Sequence, residues 1–265
     1  MLDTILIIGC GNMGGAMLAG WLAGGIAPSR FTVVDPVLAE APRGVTLLRE
    51  LPKGARFDVV MLGVKPQMLA EVAPTIAPLI GSDTTLLSIL AGAELATLAT
   101  LFPAAGARVR IMPNLSAAIG RSPIALATQA IDADRQAEVT ALMDPLGTPE
   151  WIPEDQFDVV TALAGSGPAF VYRFIDALAA GAAALGLDAG QAQRLALATV
   201  EGASLLAAAS EHSPGELARR VASPGGTTQA GLDVLDADSA LARLAQDTLK
   251  AAADRNAEMA KATRA

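Results

Sequence analysis

The sequence predicts an α/β protein in which a doubly wound parallel sheet is followed by an all-α region. Three observations support this fold class. Short apolar runs alternate with helical segments up to about residue 152, a glycine-rich turn follows the first of these runs, and no convincing strand follows residue 153. Strands that alternate with helices of about 10 to 15 residues are typical of a parallel sheet with helices on both faces.

The first half predicts a regular series of strands and helices. Ile5 to Ile8 is an unbroken apolar run between Asp3 and Gly9, as expected of a buried parallel strand. The further predicted strands are residues 31–34, 45–48, 57–62, 84–89, 108–112, 124–128 and 149–152. The predicted helices between them are residues 14–22, 67–79, 94–102 and 132–143.

The second half predicts helices only. They cover residues 154–164, 168–186, 189–210, 214–221, 227–236 and 239–262. Ser213-Pro214-Gly215-Glu216 combines an N-cap, a proline at the first helical position and a capping-box glutamate, which marks one helix start. We therefore expect two domains, residues 1–152 and residues 153–265.

The apolar composition makes a membrane protein the first class to test. Of 265 residues, 52% are hydrophobic and 17% are charged. A membrane-spanning helix needs about 20 consecutive apolar residues, whereas the longest clean run, Ala177 to Leu187, is closed by Asp176 and Asp188. No basic region precedes the first apolar run, so a signal peptide is not expected. We predict a cytoplasmic protein without a membrane partner.

Charge and cysteine usage exclude further classes. The net charge of −8 argues against nucleic acid as a partner, which would require a basic face. One cysteine and one histidine cannot build a metal cluster, so no metal is expected, and one cysteine cannot form an intrachain disulfide. A reducing cytoplasm fits this composition.

A dinucleotide-binding motif opens the chain. The pattern G-x-G-x-x-G follows the first predicted strand and begins the first predicted helix, which is the context of a Rossmann-type domain. The motif is formed by Gly9, Cys10, Gly11, Asn12, Met13 and Gly14. The glycines provide a tight turn, close approach to a pyrophosphate and close helix–strand packing. The alternative is an ordinary turn between strand and helix.

Asp35 ends the second predicted strand, where an acidic residue binds the ribose hydroxyls of the cofactor and repels a 2′-phosphate. This favours NADH. Alternatively, Asp35 caps the turn with Pro36, and Arg43 or Arg49 folds near a phosphate. The sequence therefore leaves NADPH or NADH as the cofactor.

Three further turns follow strands at the carboxyl edge of the predicted sheet, where ligands bind in open α/β sheets. They supply the remaining candidate cofactor-binding residues: Val64, Lys65, Pro66, Ala91, Gly92 and Asn114. Lys65 could instead be a surface lysine, and Asn114 could cap a turn.

Neither Cys10 nor His212 is a strong catalytic candidate. Cys10 lies within the glycine-rich turn, where a small residue is needed, although it could also serve as a redox group. His212 lies in a polar turn and is interpreted as a solvated residue rather than a general base. A histidine-driven dehydrogenase is therefore poorly supported.

Five motifs in order give the whole chain a family resemblance. They are residues 9–14, Val64-Lys65-Pro66-Gln67, Met112-Pro113-Asn114, Gly165-Ser166-Gly167-Pro168-Ala169-Phe170 and Ser223-Pro224-Gly225-Gly226-Thr227-Thr228. This pattern resembles the pyrroline-5-carboxylate reductase family. Two departures stand out: Leu115-Ser116 replaces a common Thr-Pro, and Asp35 is acidic where the family often has no acidic residue and commonly uses NADPH.

The resemblance implies reduction of 1-pyrroline-5-carboxylate to L-proline, the last step of proline biosynthesis. It implies that Thr228 hydrogen-bonds the ring nitrogen and that Ser223 and the amides of Gly225 and Gly226 hold the carboxylate. The complete set of expected site residues is Thr228 and Ser223 as catalytic, and Ser166, Gly225, Gly226, Thr227 and Glu211 as substrate-binding. From the residues alone, Ser223 to Thr228 is equally an ordinary helix N-cap loop.

The apolar excess lies in Ala- and Leu-rich helices from about residue 159 to residue 210. Such faces need partners, so we predict a homodimer with interlocking helices, which the resemblance also implies, or a higher oligomer built from such dimers. Three alternatives remain: an imine reductase, a β-hydroxyacid dehydrogenase acting on another small carboxylate, and a non-catalytic dinucleotide sensor.

Overall fold

The computed structural model describes residues 2–264 and confirms the predicted α/β sheet followed by helices. The strands are β1 (Ile5–Ile8), β2 (Phe31–Val34), β3 (Thr46–Leu48), β4 (Val59–Leu62), β5 (Thr85–Ser88), β6 (Ala107–Met112), β7 (Ser122–Ala127) and β8 (Gly147–Trp151). The helices are α1 (Asn12–Ala23), α2 (Leu69–Ile76), α3 (Leu95–Leu101), α4 (Ala133–Met143), α5 (Phe157–Val160), α6 (Gly167–Ala184), α7 (Ala189–Ala208), α8 (Pro214–Val221), α9 (Thr227–Asp236) and α10 (Ala240–Arg264).

The strands form one eight-stranded sheet in the order β3-β2-β1-β4-β5-β6-β7-β8. The strand order reverses at β1, with β2 on one side and β4 on the other. The carboxyl ends of β1 and β4 therefore border a topological switch point, which is where open α/β sheets bind ligands.

One pair of strands departs from the predicted parallel arrangement: β6 and β7 are antiparallel. The connection between them, residues 113–121, holds only the 3₁₀ helix Leu115–Ile119. A parallel crossover needs about a dozen residues or more, so this connection returns the chain in the opposite direction. Helix α4 then provides a full crossover, and β7 and β8 are parallel.

Both faces of the sheet are buried, as β1 illustrates. Ile5 and Ile7 pack into one apolar cluster, with α1 and α4, whereas Leu6 and Ile8 pack into the other, with α2 and α3. Successive side chains of a strand point to opposite faces. The unbroken apolar run in β1 therefore reflects helices on both sides of the sheet.

Residues up to Ser166, together with those from Ala251 onward, form one compact unit, and Gly167–Lys250 forms a second. The contacts thus divide the chain later than residue 152, and the end of α10 belongs to the first unit. There the amide of Asn256 donates a 2.6 Å hydrogen bond to the carboxylate of Asp158. The predicted domains 1–152 and 153–265 remain a prediction.

The second unit buries alanines rather than large side chains. Ala179 of α6 packs with Ala192 and Ala196 of α7. Many large apolar side chains of this unit are exposed instead: Val171, Tyr172, Phe174, Leu178, Leu185, Leu187, Leu195, Leu197, Leu205, Leu206, Val221, Val234, Leu235, Leu241 and Leu244. Among the described residues, no helix is both long and apolar enough to cross a membrane.

Candidate functional site

The three motif glycines differ in their surroundings. Gly9 has a φ of +85°, and a Cβ there would lie 2.8 Å from the carbonyl group of Gly63. A Cβ on Gly14 would lie 2.9 Å from the carbonyl oxygen of Gly9. A Cβ on Gly11, by contrast, would meet nothing within 4 Å. Gly9 and Gly14 therefore allow close backbone packing, and Gly11 leaves open space above the turn, as a dinucleotide cradle requires.

Helix α1 presents its N-terminus at this turn. It begins at Asn12 and runs for 12 residues, and no side chain caps its first N–H groups at Gly11. Gly11 and Asn12 are exposed, and Met13 is half-buried. The N–H groups and the helix dipole both favour an anion here. The geometry thus fits the pyrophosphate of a dinucleotide, although the individual cofactor-binding roles remain predictions.

The carboxylate of Asp35 lies beside the glycine-rich turn. Its Oδ2 accepts a 2.8 Å hydrogen bond from the backbone N–H of Cys10, and its Oδ1 accepts bonds from the N–H groups of Val37 (2.8 Å) and Leu38 (2.9 Å). Partial burial opposes ionisation, but these donors, followed by the charge of Arg49, outweigh it and hold the pKa of Asp35 below its ordinary value. Asp35 is therefore an ionised residue at the carboxyl end of β2.

The surroundings of Cys10 and Arg49 favour structural roles for both residues. Burial, and then the charge of Asp35, raise the pKa of the Cys10 thiol, which makes it a poor nucleophile. The guanidinium of Arg49 donates to the backbone carbonyls of Asp35, Leu38 and Ala39. These bonds fold the segment after β2 onto itself, in contrast to the alternative in which Arg49 reaches a phosphate.

The turns after β4 and β5 lie at the same edge of the sheet, because both strands run parallel to β1. Lys65 is exposed and precedes the 3₁₀ helix Pro66–Met68. Gly92 has a φ of +78°, in a turn closed by a 3.2 Å hydrogen bond from the Ala93 N–H to the Leu90 carbonyl. The structure thus places both turns at the carboxyl edge of the sheet, and it leaves the side chain of Lys65 accessible. Their cofactor-binding roles remain predictions.

Asn114 is buried, and its side chain is hydrogen-bonded within the first unit. Its Oδ1 accepts from the Ser116 N–H, and its Nδ2 donates to the Ala164 carbonyl, both at 2.9 Å. Ala164 lies in the π-helix Thr161–Gly165, and Pro168, four residues later, has no N–H for a helical bond. These contacts hold the side chain of Asn114 in place, and its predicted cofactor-binding role remains a prediction. Ser166 directly follows the π-helix and is half-buried.

The loop Ser223–Gly226 is a β-turn that leads into α9. The Gly226 N–H donates to the Ser223 carbonyl at 2.9 Å, Pro224 takes the second position, and Gly225 takes the third with a φ of +70°. A positive φ at that position is what a type II turn requires. A Cβ on Gly226 would lie 2.4 Å from the Ser223 hydroxyl oxygen and 3.0 Å from the Ser223 carbonyl oxygen, so a side chain here would displace the Ser223 hydroxyl.

The N-terminus of α9 is open for binding. The first N–H groups of a helix have no partner within the helix. At Gly226 no side chain caps them either, so they are available to a ligand. Ser223 and Thr227 are exposed, and Thr228 is half-buried. The second unit therefore presents hydroxyls and backbone N–H groups together, as the predicted carboxylate cradle requires.

Glu211 and His212 lie outside that loop, in the turn between α7 and α8. Both are exposed. The His212 N–H donates to the Ser210 hydroxyl at 3.0 Å, and its Nε2 contacts the guanidinium of Arg220. The predicted capping box is present, because Glu216 and Ser213 bond reciprocally at the start of α8. The assignment of Glu211 to the substrate remains a prediction.

Sequence reasoning missed one polar cluster in the first unit. Glu154 Oε1 accepts from the guanidinium of Arg110 at 2.8 Å and from the N–H of Leu95, the first residue of α3, at 2.7 Å. The guanidinium also lies 4.2 Å from the ring centre of Phe157. These residues are far apart in the sequence, so no local pattern signals the cluster. Over the described residues, no group of His, Cys, Asp or Glu side chains could hold a metal ion.

Comparison with known proteins identifies two family profiles. One, described as pyrroline-5-carboxylate reductase dimerisation, matches residues 154–259. The other, described as NADP oxidoreductase, coenzyme F420-dependent, matches residues 4–92. Together they cover the glycine-rich turn, Asp35, the turn after β4, and the loop before α9.

Full-length relatives agree with the first profile. Pyrroline-5-carboxylate reductase 2 of Bacillus subtilis is 35% identical, over 97% of this chain and 95% of its own length. The pyrroline-5-carboxylate reductase of Methanosarcina acetivorans is 35% identical, over 88% of this chain and 90% of its own. The structure of a pyrroline-5-carboxylate reductase from Coxiella burnetii superposes with a TM-score of 0.90 at 30% identity, covering 97% of this chain and 98% of that one.

Proposed function

Because the chain belongs to the pyrroline-5-carboxylate reductase family, we propose that it reduces 1-pyrroline-5-carboxylate to L-proline with NADPH or NADH. The observation that carries the proposal is the Ser223–Thr228 loop, a glycine turn that opens an uncapped helix and brings hydroxyls beside backbone N–H groups. A non-catalytic dinucleotide sensor would not need this loop.

The first unit supplies the cofactor half of the proposal. The turn around Gly11 and the open N-terminus of α1 hold the pyrophosphate, and the turns at Lys65 and Gly92 border the nicotinamide end. When bound, the dihydronicotinamide supplies a hydride. The protein orients the dinucleotide through backbone N–H groups that are fixed before binding, which lowers the entropic cost of positioning.

The second unit supplies the substrate half. The N–H of Gly225 and the first N–H groups of α9, with the Ser223 hydroxyl, bind the substrate carboxylate without an arginine. The Gly226 N–H, expected to join them, instead closes the turn on the Ser223 carbonyl. The Thr228 hydroxyl accepts a hydrogen bond from the protonated ring nitrogen. The cyclic iminium already carries its proton and is a strong electrophile, so it accepts a hydride at the imine carbon and becomes the amine with no further proton. Orientation is then the main task of the protein.

Replacing Thr228 tests this assignment. Thr228→Ala removes the acceptor, so we expect turnover to fall at least about tenfold, which is about 1.4 kcal/mol of transition-state stabilisation. Thr228→Ser keeps the hydroxyl and should recover most of the rate. Thr100→Ala is the matched control, because Thr100 is exposed on α3 and its hydroxyl bonds only to the Ala96 carbonyl.

The readout is oxidation of NADH or NADPH with 1-pyrroline-5-carboxylate, measured beside a panel of 3-hydroxyacids. Unchanged turnover in a folded Thr228→Ala variant removes Thr228 from the mechanism. Activity on a 3-hydroxyacid, with none on the imine under either cofactor, would instead favour the β-hydroxyacid dehydrogenase alternative.

The same proposal includes a cytoplasmic homodimer. The exposed leucines of α6, α7 and α10 leave more apolar surface than a monomer usually shows, and the dimerisation profile spans residues 154–259. We expect sedimentation at micromolar concentration to give twice the 26.9 kDa chain mass, or a multiple of that dimer. A monomer would count against it.

A further inference from the structure

The end of β2 borders a cavity that the proposed reaction does not explain. The cavity has a volume of about 460 Å³, and it is lined by the glycine-rich turn, by Asp35 and by residues 37–39. In Rossmann-type domains the residue that ends β2 meets the ribose of the cofactor. This cavity is therefore where NADH and NADPH, which differ only in a 2′-phosphate, would be distinguished.

The backbone donors beside this cavity are already occupied. The N–H groups of Val37 and Leu38 both donate to Oδ1 of Asp35, and the N–H of Cys10 donates to Oδ2. A 2′-phosphate would need such donors, and here the protein's own carboxylate holds them. A carboxylate has about four acceptor positions, so Oδ2 of Asp35 still has one for a ribose hydroxyl.

No cationic side chain lines the cavity itself, since none of the residues that line it is a lysine or an arginine. Arg49, which was a candidate for phosphate binding, donates hydrogen bonds from its guanidinium to the backbone carbonyls of Asp35, Leu38 and Ala39. The charge of Arg49 helps to keep Asp35 ionised. A 2′-phosphate would therefore meet an ionised carboxylate with no cation among the residues that line the cavity, and like charges at close range repel.

We propose that this chain selects NADH over NADPH and that Asp35 is the residue that enforces the selection. The proposal rests on the dinucleotide half of the proposed function and deepens it. The carboxylate acts twice: it accepts a hydrogen bond from the 2′-hydroxyl of NADH, and it occupies the donors and the space that the 2′-phosphate of NADPH would use.

Binding measurements test the selection without turnover. Titration calorimetry on the full chain compares NADH with NADPH, and 5′-AMP with adenosine 2′,5′-bisphosphate, which also differ only in the 2′-phosphate. We expect the member without the 2′-phosphate to bind at least about tenfold more tightly in each pair, a difference of about 1.4 kcal/mol. Equal or tighter binding of NADPH would overturn the proposal.

Two variants assign the selection to Asp35. Asp35→Asn removes the charge at nearly constant size, and Asp35→Ser also frees the N–H groups of Val37 and Leu38. Each should reduce the preference for NADH about tenfold or more, and the serine variant should do so further. Asp83→Asn is the matched control, because Asp83 is exposed at the amino end of β5, and it should keep the wild-type preference.

Thermal unfolding shows which variants are folded. If Asp35→Ser does not fold, Asp35→Asn alone tests whether Asp35 enforces the selection. A wild-type preference in a folded Asp35→Asn variant would overturn the assignment. The reductase assay is separate: if the imine is not reduced with either cofactor while 5′-AMP still binds more tightly than the bisphosphate, the proposed reaction fails and the cofactor selection stands.

Discussion

Glu154→Ala should destabilise the first unit more than the replacement Arg110→Met at its partner. The guanidinium of Arg110 is buried, with a side chain 6% exposed, whereas Glu154 is 28% exposed. Removing Glu154 strands a buried positive charge and also uncaps α3 at Leu95. Breaking a fully buried ion pair costs about 3–5 kcal/mol. Because water reaches Glu154, we expect Glu154→Ala to lower the free energy of unfolding by about 2–4 kcal/mol, including the effect of the lost helix cap.

Arg110→Met should cost less, about 1–2 kcal/mol, because methionine fills similar space with no charge to bury and Glu154 remains solvated and still caps α3. Glu154→Gln keeps an acceptor for the Leu95 N–H, so its loss of stability should lie between those of Glu154→Ala and Arg110→Met. Glu40→Ala and Arg43→Met, at exposed loop positions, are matched controls and should shift stability by less than about 0.5 kcal/mol.

The assay is urea unfolding at a fixed chain concentration, because the stability of an oligomer depends on concentration. Both tryptophans of the chain, Trp21 and Trp151, lie in the first unit, and Trp21 is fully buried. Tryptophan fluorescence therefore reports on the unit that holds the ion pair. If Arg110→Met costs as much as Glu154→Ala, or if neither destabilises, the argument from a stranded charge is wrong.

Two further predictions follow from the glycine-rich turn and from the amino edge of the sheet. Gly11→Val should fold normally, because the space above Gly11 is open, but it should weaken NADH binding by calorimetry more than about tenfold; normal binding would show that the pyrophosphate lies elsewhere. Asp58 is partly buried, yet hydrogen bonds from Thr4 and from the Asp3 N–H hold its pKa below its ordinary value of 3.8. The stability that Asp58 adds is therefore present above pH 3.8 and is lost as the pH falls through its lowered pKa. Asp58→Asn should be less stable than wild type at pH 7, with a gap that closes in acid, and urea unfolding that shows a constant gap would contradict this.

Much of the fold could be predicted because its signals are local. The alternation of apolar runs and helices gave the positions of β1, β2 and α4 to within a residue or two, and the capping box marked the start of α8. The direction of β7 could not be predicted in this way. It depends on the short connection from β6, and apolar patterning alone does not tell parallel from antiparallel strands.

The candidate site likewise contains local features that the sequence reveals and long-range contacts that it does not. The glycine turns at Gly9 and Gly225 are visible in the sequence, since each requires a backbone that only glycine adopts easily. The contacts of Asp35 with Cys10 and of Asn114 with Ala164 join distant residues through side chains. No spacing rule reveals such pairs. Asp35 and Asn114 were both predicted to contact the cofactor, and the structure shows that each also makes hydrogen bonds within the protein.

Transfer of a labelled hydride tests the central claim most directly. The full chain is incubated with 1-pyrroline-5-carboxylate and with NADH or NADPH carrying deuterium at both hydrogen positions of the reactive nicotinamide carbon, and the product is analysed by mass spectrometry. We expect L-proline with one deuterium on the δ-carbon, the former imine carbon. Absence of proline with both cofactors, or proline without the label, would contradict it.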